Sequence, residues 1–380
     1  MATAGCGSVS DSVRGYPLRA FVICLIAYTT AQMDLALFGY AVPAIRGEFG
    51  LTLSEVMAIV SAAFLLGGAL LVVLGWLADR VGRLPLFQFS LLGSSFLVAL
   101  ISIAPGVATL TALRGASIAV GGLSYPITGA IITEEMPARL RGLFMGLLQI
   151  GYPLGWALAS LWSMWLLTEY GWRQLFWVGL VSLPMVWVVR RYLREPPRSV
   201  AARSTEPPPR FSDLFATGIR ERAITLFIAQ FLFVWAYAAS IFLFPSFLRE
   251  VRALDAFNFS LLIGAGNAIG VLGYGLAAWI GERVWTRRNT VVLWTLLGAF
   301  LFQALVWVPT TFGQILFVYA LMSMFFYGSA AVKFAYLAEV FPTRIRALAM
   351  ACCGSLAVTL GSAAGPYTVS LAIESWGWHL

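Results

Sequence analysis

The chain has 380 residues, of which 60% are apolar and 11% charged, and it carries a formal charge of +8. So little charge on so much apolar surface excludes a water-soluble domain, where charged residues make up about 25%, and requires lipid as solvent. The positive residues sit in short clusters between apolar runs instead of forming one face, which excludes a nucleic-acid-binding surface and reads as membrane orientation.

A spanning helix needs about 20 apolar residues. Eleven such runs follow one another, at roughly 20–45, 55–77, 85–104, 107–132, 143–168, 173–189, 223–247, 257–281, 290–309, 312–338 and 347–373. Their length predicts helices, since barrel strands would be about ten residues long and alternate strictly. The polar segment Met1–Pro17 leads into a run too long for a signal-peptide core, so the first run is a first span. It carries Asp34 near its middle. After the second span comes Gly75-Trp76-Leu77-Ala78-Asp79-Arg80-Val81-Gly82-Arg83, whose glycines suit a tight turn and close helix approach. The fourth span holds Arg114 and ends on Glu134-Glu135-Met136-Pro137-Ala138-Arg139-Leu140-Arg141. Gln149, Tyr152 and Trp156 lie on the fifth. A stretch rich in proline and arginine, 190–222, is the natural cytoplasmic linker between a six-span bundle at 1–189 and a second bundle at 223–380. Asn267 lies on the eighth span, with Glu282-Arg283 after it. Lys333 and Tyr336 lie on the tenth, followed by Glu339-Val340-Phe341-Pro342-Thr343-Arg344-Ile345-Arg346.

Arginine placement orients the chain. With the N-terminus cytoplasmic, nineteen arginines fall inside and only Arg46, Arg173, Arg249 and Arg252 outside. The halves also repeat. Glu, Pro, Arg and Arg of the segment after the fourth span recur after the tenth at a constant offset of 205, and Asp79-Arg80 is echoed by Glu282-Arg283. Internal duplication of a six-span unit is typical of carriers built from two pseudo-symmetric bundles. Glu169-Tyr170-Gly171-Trp172-Arg173 leads into the sixth span, and Glu374-Ser375-Trp376-Gly377-Trp378-His379 resembles it. The repeat therefore predicts a twelfth helix that the chain lacks, with a native eleven-span protein as the alternative.

Two charges stand out. A charge at membrane depth costs at least about 2.5–3.5 kcal/mol and marks a pathway or a pair. Asp34 and Arg114 differ in backbone depth by roughly 8 Å at 1.5 Å per residue, a gap an arginine can bridge. The pair is expected to couple proton uptake to substrate and conformation; a purely structural ion pair is the alternative. Lys333 can attract an anionic substrate or snorkel to the headgroups. Arg114, Gln149, Tyr152, Trp156, Asn267, Lys333 and Tyr336 form the expected substrate site, because a cavity needs polar groups to orient a ligand. Gly75, Asp79, Arg80, Gly82, Arg83, Glu134, Arg139, Glu282, Arg283, Glu339 and Arg344 form the expected cytoplasmic gate, in which carboxylates latch onto arginines and helix ends.

No enzyme is expected. The only histidine is His379 and the four cysteines lack metal-ligand spacing, so neither metal nor cofactor is expected. The glycine-rich run 264–270 lies within a span, where close packing explains it.

The segment Gly75 to Arg83 resembles the signature loop of the major facilitator superfamily, with Leu84 where a further basic residue is usual. Arg114 with Gly121-Gly122 resembles the fourth-helix motif of proton-linked members. Arg194-Glu195-Pro196-Pro197-Arg198 resembles the sugar-porter signature after helix six. Asp34 resembles the first-helix aspartate of sugar and aromatic-acid symporters, with Ala31 where the aromatic-acid type has a second aspartate. The resemblance implies an all-α membrane fold of two pseudo-symmetric six-helix bundles, with helices three, six, nine and twelve at the periphery and the twelfth missing here. It implies a multi-pass protein of a bacterial inner membrane, monomeric, whose partners are a proton and a small solute. A carboxylate is the expected solute. The alternatives are a sugar–proton symporter and a truncated, non-transporting relative acting as a receptor.

Overall fold

The structure, a computed structural model, describes residues 15–81, 83–137, 140–194, 214, 216, 218–341 and 349–378. Eleven helices long and apolar enough to span a bilayer occur among them. They are α1 (Tyr16–Phe49), α2 (Leu53–Val81), α3 (Arg83–Ile101), α4 (Val107–Glu135), α5 (Arg141–Glu169) and α6 (Trp172–Tyr192) in the first half. The second half holds α7 (Arg220–Glu250), α8 (Ala256–Arg283), α9 (Arg287–Trp307), α10 (Phe312–Val340) and α11 (Cys352–Trp376). Each coincides with a predicted span, usually extended by a few residues at its polar ends. No water reaches the hydrocarbon, so backbone groups must bond within each segment.

Local chemistry fixes the ends. Pro17 stands in the first turn of α1, and Gly50, at φ 62°, ends it in the left-handed conformation with its N–H on the Arg46 carbonyl. Asp255 and Thr286 cap α8 and α9, each accepting from a backbone N–H three residues on. Thr311 and Gln314 form a reciprocal capping box on α10.

The helices contact one another in repeated pairs. Within the halves, α1 against α5 corresponds to α7 against α11, α2 against α4 to α8 against α10, and α3 against α4 to α9 against α10. Between the halves, α2 packs on α11 and α5 on α8. Glycines permit the closest crossings. A Cβ at Gly155 of α5 would lie 2.7 Å from the Met33 nitrogen of α1. A Cβ at Gly361 of α11 would lie 2.8 Å from the Phe231 carbonyl of α7.

Four spans are irregular. Helix α4 is interrupted at Leu123, between Gly122 and Ser124. Helix α5 is interrupted between Leu148 and Gly151, α6 runs as a 3-10 helix over Phe176–Ser182, and a π-helix over Met350–Leu356 opens α11. Irregular backbone at membrane depth is tolerated where protein or a cavity covers it.

Candidate functional site

The first part of the site sits where α1 and α4 face each other. Asp34 and Arg114 are both buried, at 3% and 2% exposure. They line a cavity of about 180 Å³ whose far wall includes Val358 and Thr359 of α11, so both halves contribute. The contact between them is not a carboxylate–guanidinium pair. Arg114 donates to the backbone carbonyls of Leu35 at 2.7 Å and Asp34 at 3.5 Å, and its guanidinium lies 4.8 Å from the centre of the Phe38 ring. Both carboxylate oxygens of Asp34 are buried and make no hydrogen bond of ordinary geometry among the described residues. The arginine is thus fixed to the α1 backbone, and the carboxylate beside it keeps its acceptor capacity.

Further along α1 and α4, Gln149 is held by two tyrosines. Its carbonyl accepts from the Tyr28 hydroxyl at 3.3 Å, and its amide donates to Tyr125 at 2.9 Å. The Tyr28 and Tyr125 rings lie 5.5 Å apart. Gln149 stands at the interruption of α5, and Tyr152, three residues on, points into an aromatic cluster. Tyr152 of the first half and Tyr237 and Tyr327 of the second form a triangle, with ring centres 6.1, 6.2 and 5.8 Å apart. Trp156 is 1% exposed and wedged against Tyr40, Tyr152 and Phe242, so it is a wall behind the triangle. Tyr28, Tyr125 and Phe242 escaped sequence reading because aromatic residues occur throughout the spans. Only the register between helices singles these out.

Lys333 does not snorkel. Its ammonium is buried, lies 2.7 Å from the centre of the Phe233 ring on α7, and has no hydrogen-bond partner among the described residues. Asn267 is elsewhere. It is fully buried between α8 and α10, where its amide donates to the Ile263 carbonyl and to the Tyr319 hydroxyl. Tyr336 is part-buried one turn beyond Lys333. The expected gate is mostly out of view: Gly82, Arg139 and Arg344, and the side-chain placements at Gly75, Asp79, Arg80, Arg83, Glu282 and Glu339, lie outside the described residues. Glu134 is part-buried in the last turn of α4, and Arg283 is exposed in the last turn of α8.

At the opposite end the halves are joined by polar contacts that the sequence did not suggest. Arg46 of α1 forms an ion pair with Glu250 of α7, and the Trp378 indole donates to the same carboxylate at 3.3 Å. The backbone N–H of Ser54, at the start of α2, donates to Glu374 of α11 at 2.7 Å. The Ser61 hydroxyl donates to the Ala363 carbonyl. Each links a first-half helix to the second half, so this end, predicted to be external, is closed. No group of three or more metal-ligating side chains occurs among the described residues.

Duplicated helix pairs, a cavity lined from both halves and polar contacts that join the halves at one end define a membrane carrier of the two-bundle type. The sequence profile of the Major Facilitator Superfamily matches residues 24–330, and the chain belongs to that family. It is a transport protein of the membrane, not an enzyme. Among curated relatives, the cis,cis-muconate transport protein of Acinetobacter baylyi is 27% identical over 92% of this chain and 86% of its own length. The niacin transporter NiaP of the same organism is 26% identical over 91% and 85%. Among solved structures, a bacterial homolog of the human lysosomal transporter Spinster, inward-facing and occupied, aligns with TM-score 0.76 at 16% identity, covering 95% of this chain and 83% of that one. A D-xylose–proton symporter aligns with TM-score 0.71 at 16% identity, covering 94% and 89%. These structures share the fold.

Proposed function

We propose that the chain is a secondary active carrier that takes up a small organic carboxylate together with a proton, as a monomer with its N-terminus in the cytoplasm. The observation that carries this reading is Asp34: an acidic side chain in a cavity lined from both halves, with neither oxygen hydrogen-bonded among the described residues, beside an arginine committed to the backbone of the same helix. A carboxylate in that position can take up and release a proton as the cavity opens to one side and then the other. Arg114 keeps positive charge beside it throughout, which favours an anion in the cavity. The names of the two curated relatives, a muconate and a niacin transporter, are those of small acids. In this reading the bundles at 1–189 and 223–380 rock about the cavity. Asp79, Arg80, Glu134, Arg139, Glu282, Arg283, Glu339 and Arg344 latch the cytoplasmic end, while Arg46–Glu250 and Ser54–Glu374 latch the other.

Uptake of labelled benzoate, sialate and xylose into vesicles with an imposed pH gradient tests the reading. Benzoate or sialate should accumulate and collapse with the gradient. Asp34→Asn should abolish accumulation and leave counterflow exchange in place. Undiminished accumulation by Asp34→Asn would remove the proton role, and accumulation of xylose alone would replace the carboxylate with a sugar.

A further inference from the structure

Helices α7 and α10 carry a flat aromatic platform with a cation at one end. Phe233 and Tyr237 are four residues apart on α7 and therefore share a face. Their rings are nearly parallel, 6.1 Å apart with 7° between planes. Phe326 of α10 stacks on both, 4.8 Å from Phe233 and 5.4 Å from Tyr237, at 15° to each. Lys333, two helical turns beyond Phe326 and so on the same side of α10, sets its ammonium over Phe233. The Tyr237 hydroxyl, at the other end of the platform, is buried and makes no hydrogen bond of ordinary geometry among the described residues. Tyr237 and Phe326 both line a second, small cavity in this half.

The two cations of the membrane interior differ in what they have left to offer. Arg114 is spent in part on the Leu35 and Asp34 carbonyls and on Phe38. Lys333 has three N–H donors and, among the described residues, only a ring to meet them. A buried ammonium without an anion is costly, and a ring face offsets only part of that cost. Such a group is complete only when an anion arrives. The neighbouring rings have the shape that a flat, conjugated molecule stacks on.

We infer that Lys333, and not Arg114, is the anchor for the substrate's carboxylate, and that the Phe233–Tyr237–Phe326 platform selects planar, conjugated acids. The Tyr237 hydroxyl meets a polar atom at the far end of the substrate. Arg114 remains the positioning partner of Asp34. The inference rests on the carboxylate reading above and sharpens it. The anchor belongs to the second half and the proton site to the first, and Tyr237 touches Tyr152 of the first half, so a substrate on the platform lies beside both halves.

The test uses the purified full-length chain with benzoate, nicotinate and cis,cis-muconate as planar anions, cyclohexanecarboxylate as a puckered anion and benzamide as a planar neutral molecule. Thermal midpoint and labelled flux in proteoliposomes are the readouts. Wild type should be shifted upward by at least one planar anion, less by cyclohexanecarboxylate and not by benzamide. Lys333→Met should melt higher than wild type when ligand-free, because the unpartnered ammonium is gone, yet bind the planar anions about tenfold to a hundredfold more weakly, as loss of a charged hydrogen bond requires. Lys333→Arg should retain most binding, and Phe233→Leu should erase the preference for planar over puckered anions. Unchanged anion affinity in Lys333→Met, with flux still proton-driven, overturns the anchor and leaves the carboxylate reading standing. No response of wild type to any of the carboxylates removes that reading, and the anchor with it.

Discussion

Asp34 and Arg114 were legible in the sequence because a charge in an apolar run is rare and expensive. Their separation in depth allowed contact, and the structure brings them together. It also alters the contact, since the guanidinium bonds main-chain carbonyls that no sequence pattern marks. Gln149 was legible as a polar group in a span, but Tyr28 and Tyr125, which hold it, were not. Replacing Gln149 by Leu removes the acceptor of the buried Tyr28 hydroxyl. Such a loss costs about 1–3 kcal/mol when the group stays buried and unsatisfied. The Gln149→Leu protein should therefore melt several degrees lower in detergent, and Tyr28→Phe with Gln149→Leu should recover part of the loss. The sequence allows Lys333 to reach the headgroups; its ring contact depends on Phe233, a hundred residues away, and on the register of two helices.

The spans themselves were legible in number and place, because run length and hydrophobicity decide them. Their interruptions were not. Glycine and proline alone do not mark the breaks in α4, α5, α6 and α11, since glycines also occur in unbroken α8. The crossings of α5 on α1 and of α11 on α7 depend on glycines that approach backbone directly, where no flexible side chain can give way. Adding methyl groups at such a point forces helices apart and typically costs about 1–3 kcal/mol, occasionally more. Gly155→Val and Gly361→Val should each lower the yield of monodisperse protein and the thermal midpoint. Gly313→Val, with nothing within 4 Å of its Cβ position at the start of α10, is the matched control and should be close to wild type.

For the whole molecule, duplication was legible at the inner connections, where Glu, Pro and Arg recur at fixed spacing. It reappears as matched helix pairs, although the recurring side chains fall mostly outside the described residues. The closure at the other end was not legible. Nothing in the sequence ties Arg46 to Glu250, which lies on the other half. A part-exposed ion pair contributes about 0.2–1 kcal/mol. Glu250→Gln should accordingly shift the balance toward the externally open form by roughly 1.5- to 5-fold, read as faster thiol labelling of Ser61→Cys. Exchanging the two charges, Arg46→Glu with Glu250→Arg, should restore slow labelling. The exposed position of this pair, 29% and 38% for the two side chains, has a consequence for the cycle as a whole. Dissolved ions reach it, and at 0.1 M salt charges are screened over about 10 Å. In the orientation proposed above, the external medium thereby becomes a modulator of the resting state. Rising external salinity should populate the open-outside form and speed capture of solute, and it should lose that influence in Arg46→Gln with Glu250→Gln.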